Sequence, residues 1–208
     1  MQKFDYVIVG AGSAGCVLAE RLSASGRFTV AVVEAGGSDR SFWIQTPLGY
    51  GKTFWDRRLN WGYYTAPDPG LEERSDYWPR GKVLGGSSSL NAMVWIRGNP
   101  RDYDDWGQGW SFADLLPYFK AIETNQAGGD RWRGDQGEVF VSDVSDRLHP
   151  LAARFVAAGE QAGLAKNPDF NGARQEGIGV YHHNIKNGRR FSAARAFLHP
   201  ALKRGNVT

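Results

Sequence analysis

The sequence predicts an α/β fold built on a parallel sheet, and three observations carry that prediction. An apolar run, Phe4–Val9, with β-branched Val7, Ile8 and Val9, leads into Gly10-Ala11-Gly12-Ser13-Ala14-Gly15. A helical pattern follows from Ser13 to about Ala24, with Val17, Leu18 and Leu22 on its apolar side. A second apolar run, Thr29–Val33, then closes on Glu34. A strand, a helix and a strand in this order form a compact βαβ unit, which demands parallel pairing and a right-handed crossover. Both runs read as buried strands.

The glycine motif sits where a phosphate cradle belongs. Gly10 permits the tight turn, Gly12 lets the backbone approach a pyrophosphate with no Cβ in the way, and Gly15 lets the helix pack closely on the sheet. The free N–H groups of the first helical turn, at the positive end of the helix dipole, then hold the anion. Glu34, 19 residues after Gly15, can accept both hydroxyls of an adenosine ribose and repels a 2′-phosphate. The plainer alternative is a glycine-rich turn in an ordinary βαβ unit. The dinucleotide reading favours NAD or FAD over NADP and does not separate the first two.

From Gly36 to about Pro79 the pattern dissolves into Gly, Pro, Asp and aromatic residues. An ordered, irregular excursion is expected, packed down by Trp43, Phe54, Trp55, Trp61 and Tyr63, since so long a loop needs its own contacts. Ser111 is a plausible N-cap with Asp114 at the reaching-back position of a helix of about ten residues. Leu115, Leu116, Tyr118, Phe119 and Ile122 form its apolar side, and Pro117 should bend or shorten its first turns. The polar, glycine-rich stretch 127–137 is a candidate boundary. Beyond it, Glu138–Ser142 reads as a strand, Pro150–Ala162 as an amphipathic helix, and Val180–Ile185 as an alternating strand. Ser192–Leu202 reads as a short helix interrupted by Pro200.

Composition removes several function classes. The 208 residues allow one generous domain or two modest ones. An apolar fraction of 41% and a net charge of +3, without a basic block, fit a globular protein that binds no nucleic acid. No stretch approaches a membrane span, and the N-terminus carries no export signal. With one cysteine, Cys16, no internal disulfide forms, so a cytoplasmic location is expected. Gly51-Lys52-Thr53 lacks the first glycine of a P-loop, because position 46 is Thr. His182-His183 reads as a strand pair, one ring buried and one exposed, rather than a metal site. Cys16, just inside the helix, reads as a small packing residue; no metal ligand set is found.

A second glycine cluster bears on the cofactor. Arg80-Gly81-Lys82-Val83-Leu84-Gly85-Gly86-Ser87-Ser88-Ser89-Leu90-Asn91-Ala92-Met93-Val94-Trp95-Ile96-Arg97-Gly98 offers another stretch of approachable backbone and short hydroxyl donors. A cofactor with two ends, an adenine diphosphate and an isoalloxazine, needs two such regions. Here the chain resembles the glucose–methanol–choline oxidoreductases. The resemblance runs from Phe4–Gly15 with Glu34-Ala35-Gly36, through 81–98 with Asp104. It continues through Gly109-Trp110-Ser111, Leu116–Phe119, Asp169–Gly172 with Gln175-Glu176-Gly177, and Arg190–Arg195.

The resemblance implies a Rossmann-like FAD-binding domain with a parallel sheet, followed by the beginning of an α+β substrate domain. The implied division is 1–126 for FAD, 127–185 for the start of the substrate domain, and 186–208 for a return toward the FAD domain. It places the pyrophosphate on Gly12, Ser13 and Ala14, and the adenosine ribose on Glu34 with Ala35 beside it. Arg80, Gly81, Val83, Gly85, Gly86, Ser88, Asn91, Ala92, Met93 and Val94 would line the flavin, with main-chain groups near its reactive edge. Some members attach the flavin covalently through a histidine at the position of Leu90, and leucine cannot form that bond, so FAD should be non-covalent.

The implied activity is oxidation of a small-molecule alcohol, with hydride passing to flavin N5 and electrons to O₂ or a quinone-like acceptor. The family's base is a downstream histidine, and none of His149, His182, His183 or His199 lies in a similar segment. No catalytic residue is therefore assigned, and the chain is expected to be the N-terminal part of a longer protein, completed by its C-terminal portion. A lyase on the same scaffold, or a flavin-binding module without turnover, are the alternative readings.

Overall fold

The computed structural model describes residues 2–208, which form two compact units: residues up to Met93 together with Asn187–Thr208, and Val94–Lys186. The functional division at 126 and 185 concerns binding roles and stays a proposal.

In the first unit, strand β1 (Tyr6–Val9), helix α1 (Ser13–Ser23) and strand β2 (Val30–Val33) form the expected βαβ unit. The strands pair in parallel, with Tyr6 opposite Val30 and Val9 opposite Val33. The segment 206–208 extends the sheet on the other side of β2: Val30 donates to the Asn206 carbonyl (2.9 Å) and Val32 to that of Thr208 (2.8 Å).

Two sequence expectations need correction here. The strands are buried on one face only. Ile8 and Val30 face the core, whereas Val7 and Val9 are 62% and 87% exposed. Successive side chains alternate between faces, and α1 covers just the Ile8 face within this unit. The buried side of α1 is also not Val17, Leu18 and Leu22. It is Gly15, Cys16, Ala19, Glu20 and Ser23, while Leu18 is exposed. Close helix–sheet packing selects small residues: a Cβ on Gly15 would lie 2.0 Å from the Gly10 carbonyl oxygen. Buried Glu20 is satisfied by Arg21 and by Arg204 at 2.6 Å.

The excursion is ordered, with short helical pieces at Phe42–Gln45 and Tyr50–Thr53 and an antiparallel pair, Tyr63–Tyr64 with Tyr77–Trp78. Its aromatics do stack, Trp55 on Tyr77 at 4.7 Å and Trp61 on Tyr63 at 5.9 Å, but they remain largely exposed. The buried anchors are instead Asp39, Ile44, Thr53 and Asn60. Asn60 Oδ1 accepts from the N–H groups of Gly62 and Arg80, and its Nδ2 donates to the Phe54 carbonyl. One buried amide thus ties together chain segments 20 residues apart, which local composition does not reveal. Near the C-terminal end, Ala194–Leu198 forms a π-helical turn before His199–Leu202, rather than a helix broken at Pro200. Proline lacks an N–H and its ring crowds the carbonyl four residues back, and a widened turn relieves both.

In the second unit, Phe112–Ala121 is a ten-residue helix with the expected Ser111/Asp114 capping box, and it continues through Pro117. Val139–Val141 pairs in parallel with Glu123–Asn125, a strand that the sequence did not suggest. Pro150–Gln161 is helical, but none of its residues is buried. The strand expected over Val180–Ile185 reduces to bridges from His183 to Val94 and Ser142 and a two-residue strand, Ile185–Lys186. His182 is buried and His183 half-buried rather than exposed.

The centre of this unit is polar. Arg97 and Glu123, both buried, form an ion pair at 2.8 Å, and Arg97 also donates to the Trp132 carbonyl. Removing one partner of such a pair strands the other charge in a poorly solvating interior. In the full-length protein, Glu123→Ala should therefore destabilise this unit by about 3–5 kcal/mol. Urea unfolding followed by tryptophan fluorescence should show the earlier transition, and an unchanged midpoint would mean the pair contributes little.

Candidate functional site

The site builds outward from the turn between β1 and α1. Gly10 has φ of 93°, a left-handed conformation open to glycine, and its N–H donates to the Val33 carbonyl at 2.7 Å. Gly12 precedes the helix with no side-chain cap, and Ser13 and Ala14 are exposed. No acceptor among the described residues takes the N–H groups of Ser13 and Ala14, which a helix leaves unpaired in its first turn. A Cβ on Gly12 would meet nothing within 4 Å, so the space over this turn is open.

Glu34 is held in place by its own neighbours. One carboxylate oxygen accepts from the Ala11 N–H at 2.7 Å and the other from the Gly36 N–H at 2.8 Å. Each oxygen keeps lone-pair capacity for a further donor. The carboxylate thus braces the glycine turn as well as standing beside it, a role no spacing rule disclosed. Ala35, next along, is exposed.

The second glycine cluster packs directly on the first. Gly85 donates to the Ala11 carbonyl at 2.7 Å, and a Cβ on Gly86 would lie 2.8 Å from Gly12 Cα. Gly85 and Gly86 have φ of 88° and 54°. Gly81 is equally constrained, since a Cβ there would come within 2.3 Å of the Gly86 backbone. Val83 is fully buried with Ile44 and Leu90 in an apolar cluster. Ser88 Oγ donates to the Gly85 carbonyl at 2.6 Å and accepts from the Ala193 N–H at 3.0 Å.

A cavity of about 320 Å³ opens beside this loop, lined by Phe54, Asn60, Pro79, Arg80, Gly81, Ser87, Leu90, Asn91 and Ala92. Met93 is buried, with φ of 62°. Val94 belongs to the second unit, where it bridges to His183. All the other predicted site residues lie in the first unit.

Three of the four histidine rings face a polar neighbour, whereas the buried Nδ1 of His183 has no hydrogen-bond partner among the described residues. His149 Nδ1 accepts from the Leu151 N–H at the start of a helix. His182 lies 4.0 Å from Asp169, and His183 bridges two chain segments. His199 Nε2 meets both oxygens of buried Asp39 at 3.0 and 3.1 Å. No group of three or more His, Cys, Asp or Glu among the described residues can hold a metal ion. No helix among them is long and apolar enough to cross a membrane.

Together these features define an α/β unit in which a second glycine loop is seated on the β1–α1 turn. The chain belongs to the GMC oxidoreductase family, whose model matches residues 4–208. It is 48% identical to the oxygen-dependent choline dehydrogenase of Photobacterium profundum and 49% identical to an alcohol dehydrogenase [acceptor] of Pseudomonas putida. These matches cover 99% and 98% of this chain but 37% and 38% of those proteins. Among solved structures it resembles pyridoxine 4-oxidase from Mesorbium loti, with a TM-score of 0.93 and 36% identity, over 99% of this chain and 42% of that one. Formate oxidase from Aspergillus oryzae RIB40 aligns with a TM-score of 0.81 and 27% identity, over 99% and 37% of the two chains. The chain thus spans about two fifths of the length of these relatives. These matches establish the Rossmann-like α/β fold expected from the glycine motif.

Cys16 is buried beneath the turn, its Sγ 3.3 Å from the Ala11 carbonyl oxygen. Burial pushes its thiol up to about 12, with the charges of Asp39 and Glu34 adding to the shift and the Gly85 N–H opposing it. At pH 8 almost no thiolate forms, and reactivity follows the thiolate. A thiol reagent at pH 8 should leave Cys16 unlabelled in the native protein and label it after unfolding in urea. Rapid native labelling would contradict the buried packing role.

Proposed function

We propose that this chain binds FAD, with its pyrophosphate on the β1–α1 turn and its flavin along Gly85–Met93, and that the full-length protein oxidises an alcohol. The observation that carries the reading is the seating of the Gly85–Gly86 loop on the Gly10–Gly12 turn, which brings two approachable stretches of backbone side by side. The open space over Gly12 and the unpaired N–H groups of Ser13 and Ala14 fit an anion. Glu34 has acceptor capacity left for ribose hydroxyls, and its charge opposes a 2′-phosphate. Arg80, Gly81, Asn91 and Ala92 line the cavity beside the second loop, and Val94 follows in sequence. FAD, when bound, supplies a hydride acceptor.

The names of the choline and alcohol dehydrogenase relatives support an alcohol substrate, and we read the electron acceptor as O₂ or a quinone-like compound. Leu90 offers no nucleophile for attachment, which supports non-covalent binding. None of His149, His182, His183 or His199 lies in a segment similar to that of the family's base, and we assign the proton-accepting role to none of them.

Two outcomes test this reading. Gly12 has φ of −73°, which any residue tolerates, and its Cβ position touches no protein atom. Gly12→Val should therefore leave the apo fold within about 0.5 kcal/mol of the parent while the full-length protein loses its FAD. A purified variant that stays fully yellow would remove the turn from the site. Acid precipitation of the full-length holoprotein should leave the flavin in the supernatant, and colour in the pellet would overturn non-covalent binding. The reaction itself is checked by following dye reduction and peroxide formation with primary alcohols.

A further inference from the structure

Arg190 is 1% exposed, and no carboxylate among the described residues pairs with it. Its guanidinium donates to three neutral oxygens instead: the carbonyls of Ile44 (2.8 Å) and Ser88 (3.1 Å), and Asn91 Oδ1 (2.9 Å). Nη2 is buried without any partner. Burial lowers its pKa to about 10, so it remains a cation at neutral pH. An interior arginine without a counter-ion is costly, and its retention needs a reason beyond packing.

The reason lies in what Asn91 does. The same Oδ1 that Arg190 holds also accepts the Met93 N–H at 3.0 Å, closing an Asx-type turn across Ala92. That turn ends in Met93 at φ of 62°. A left-handed conformation is uncommon for methionine and costs free energy, so it persists only where surrounding contacts over-determine it. Arg190 fixes Asn91 and the Ser88 carbonyl simultaneously, and so constrains both ends of the loop that leads into Met93. The loop also borders the cavity, which Asn91 and Ala92 line.

We propose that Arg190 is a positioning residue: by clamping the Asn91 side chain it sets the left-handed turn at Met93, and with it the direction of the Ala92 and Met93 main-chain groups toward the flavin's reactive edge. This rests on the reading that residues 85–93 carry the flavin. It adds a long-range element to that site, since Arg190 stands 99 residues from Asn91 in sequence.

The test uses the full-length holoprotein and sulfite, which adds to flavin N5 and reports the surroundings of that atom without turnover. Arg190→Met and Asn91→Ala should each weaken sulfite binding by roughly tenfold, the scale of one charge-assisted hydrogen bond. The double variant should lose no more than either single one, because both act through one interaction. A purely structural role would lower thermal stability and leave sulfite affinity unchanged. Asn91 is exposed, so Asn91→Ala decides the matter if Arg190→Met does not fold. Parental sulfite affinity in Asn91→Ala, or in a folded Arg190→Met, overturns the proposal, as do losses that add in the double variant. Failure of the underlying flavin reading looks different: the unsubstituted full-length protein would carry no FAD.

Discussion

The architecture of the first unit depends on the contact between two glycine turns. Gly86 reaches within van der Waals range of Gly12, and Gly85 donates to Ala11. The first approach does not survive a side chain on Gly86, whose Cβ would lie 2.8 Å from Gly12 Cα. Gly15 beneath the first turn and Gly81 beneath the second extend the same constraint. Four glycines therefore let the backbone of one loop rest on that of another. Glu34 then ties the first turn to the end of β2 through two N–H groups.

Around that contact, long-range polar anchors do what a hydrophobic core does elsewhere. The excursion after β2 leaves most of its tryptophans exposed and is held by Asn60, by the Asp39–His199 pair and by Ile44. Arg190 brings in the carbonyl of Ile44 together with the second glycine loop. Asn60 and Arg190 saturate backbone groups that an irregular segment would otherwise leave unpaired in the interior. This allows so long a stretch without regular structure to be ordered.

The second unit follows the same economy. Arg97 meets Glu123, Trp132 and the 171 amide, and Asn171 returns a bond to the Trp95 carbonyl. Arg133 and Asp169 form a further pair at 2.8 Å. Networks of this kind favour one arrangement over others, because breaking one contact leaves its partner desolvated without compensation.

The sequence by itself determined the βαβ unit, the glycine turn between β1 and α1, the capped helix after Ser111 and the existence of a second glycine loop. All of these rest on short-range patterns: strand and helix periods, glycine at forced turns, and a capping box within four residues. The tertiary structure alone decided which face of α1 is buried, because small residues win where a helix approaches a sheet closely, whatever their hydrophobicity. It also decided that one face of β1 lies open, that Glu34 braces the turn it follows, and that Asn60 and Arg190 organise loops far from them in sequence. Those outcomes depend on pairings between residues 20 to about 150 positions apart. A linear pattern does not encode such pairings, since a lone Asn or Arg in a loop looks the same whether water or a buried carbonyl will receive it.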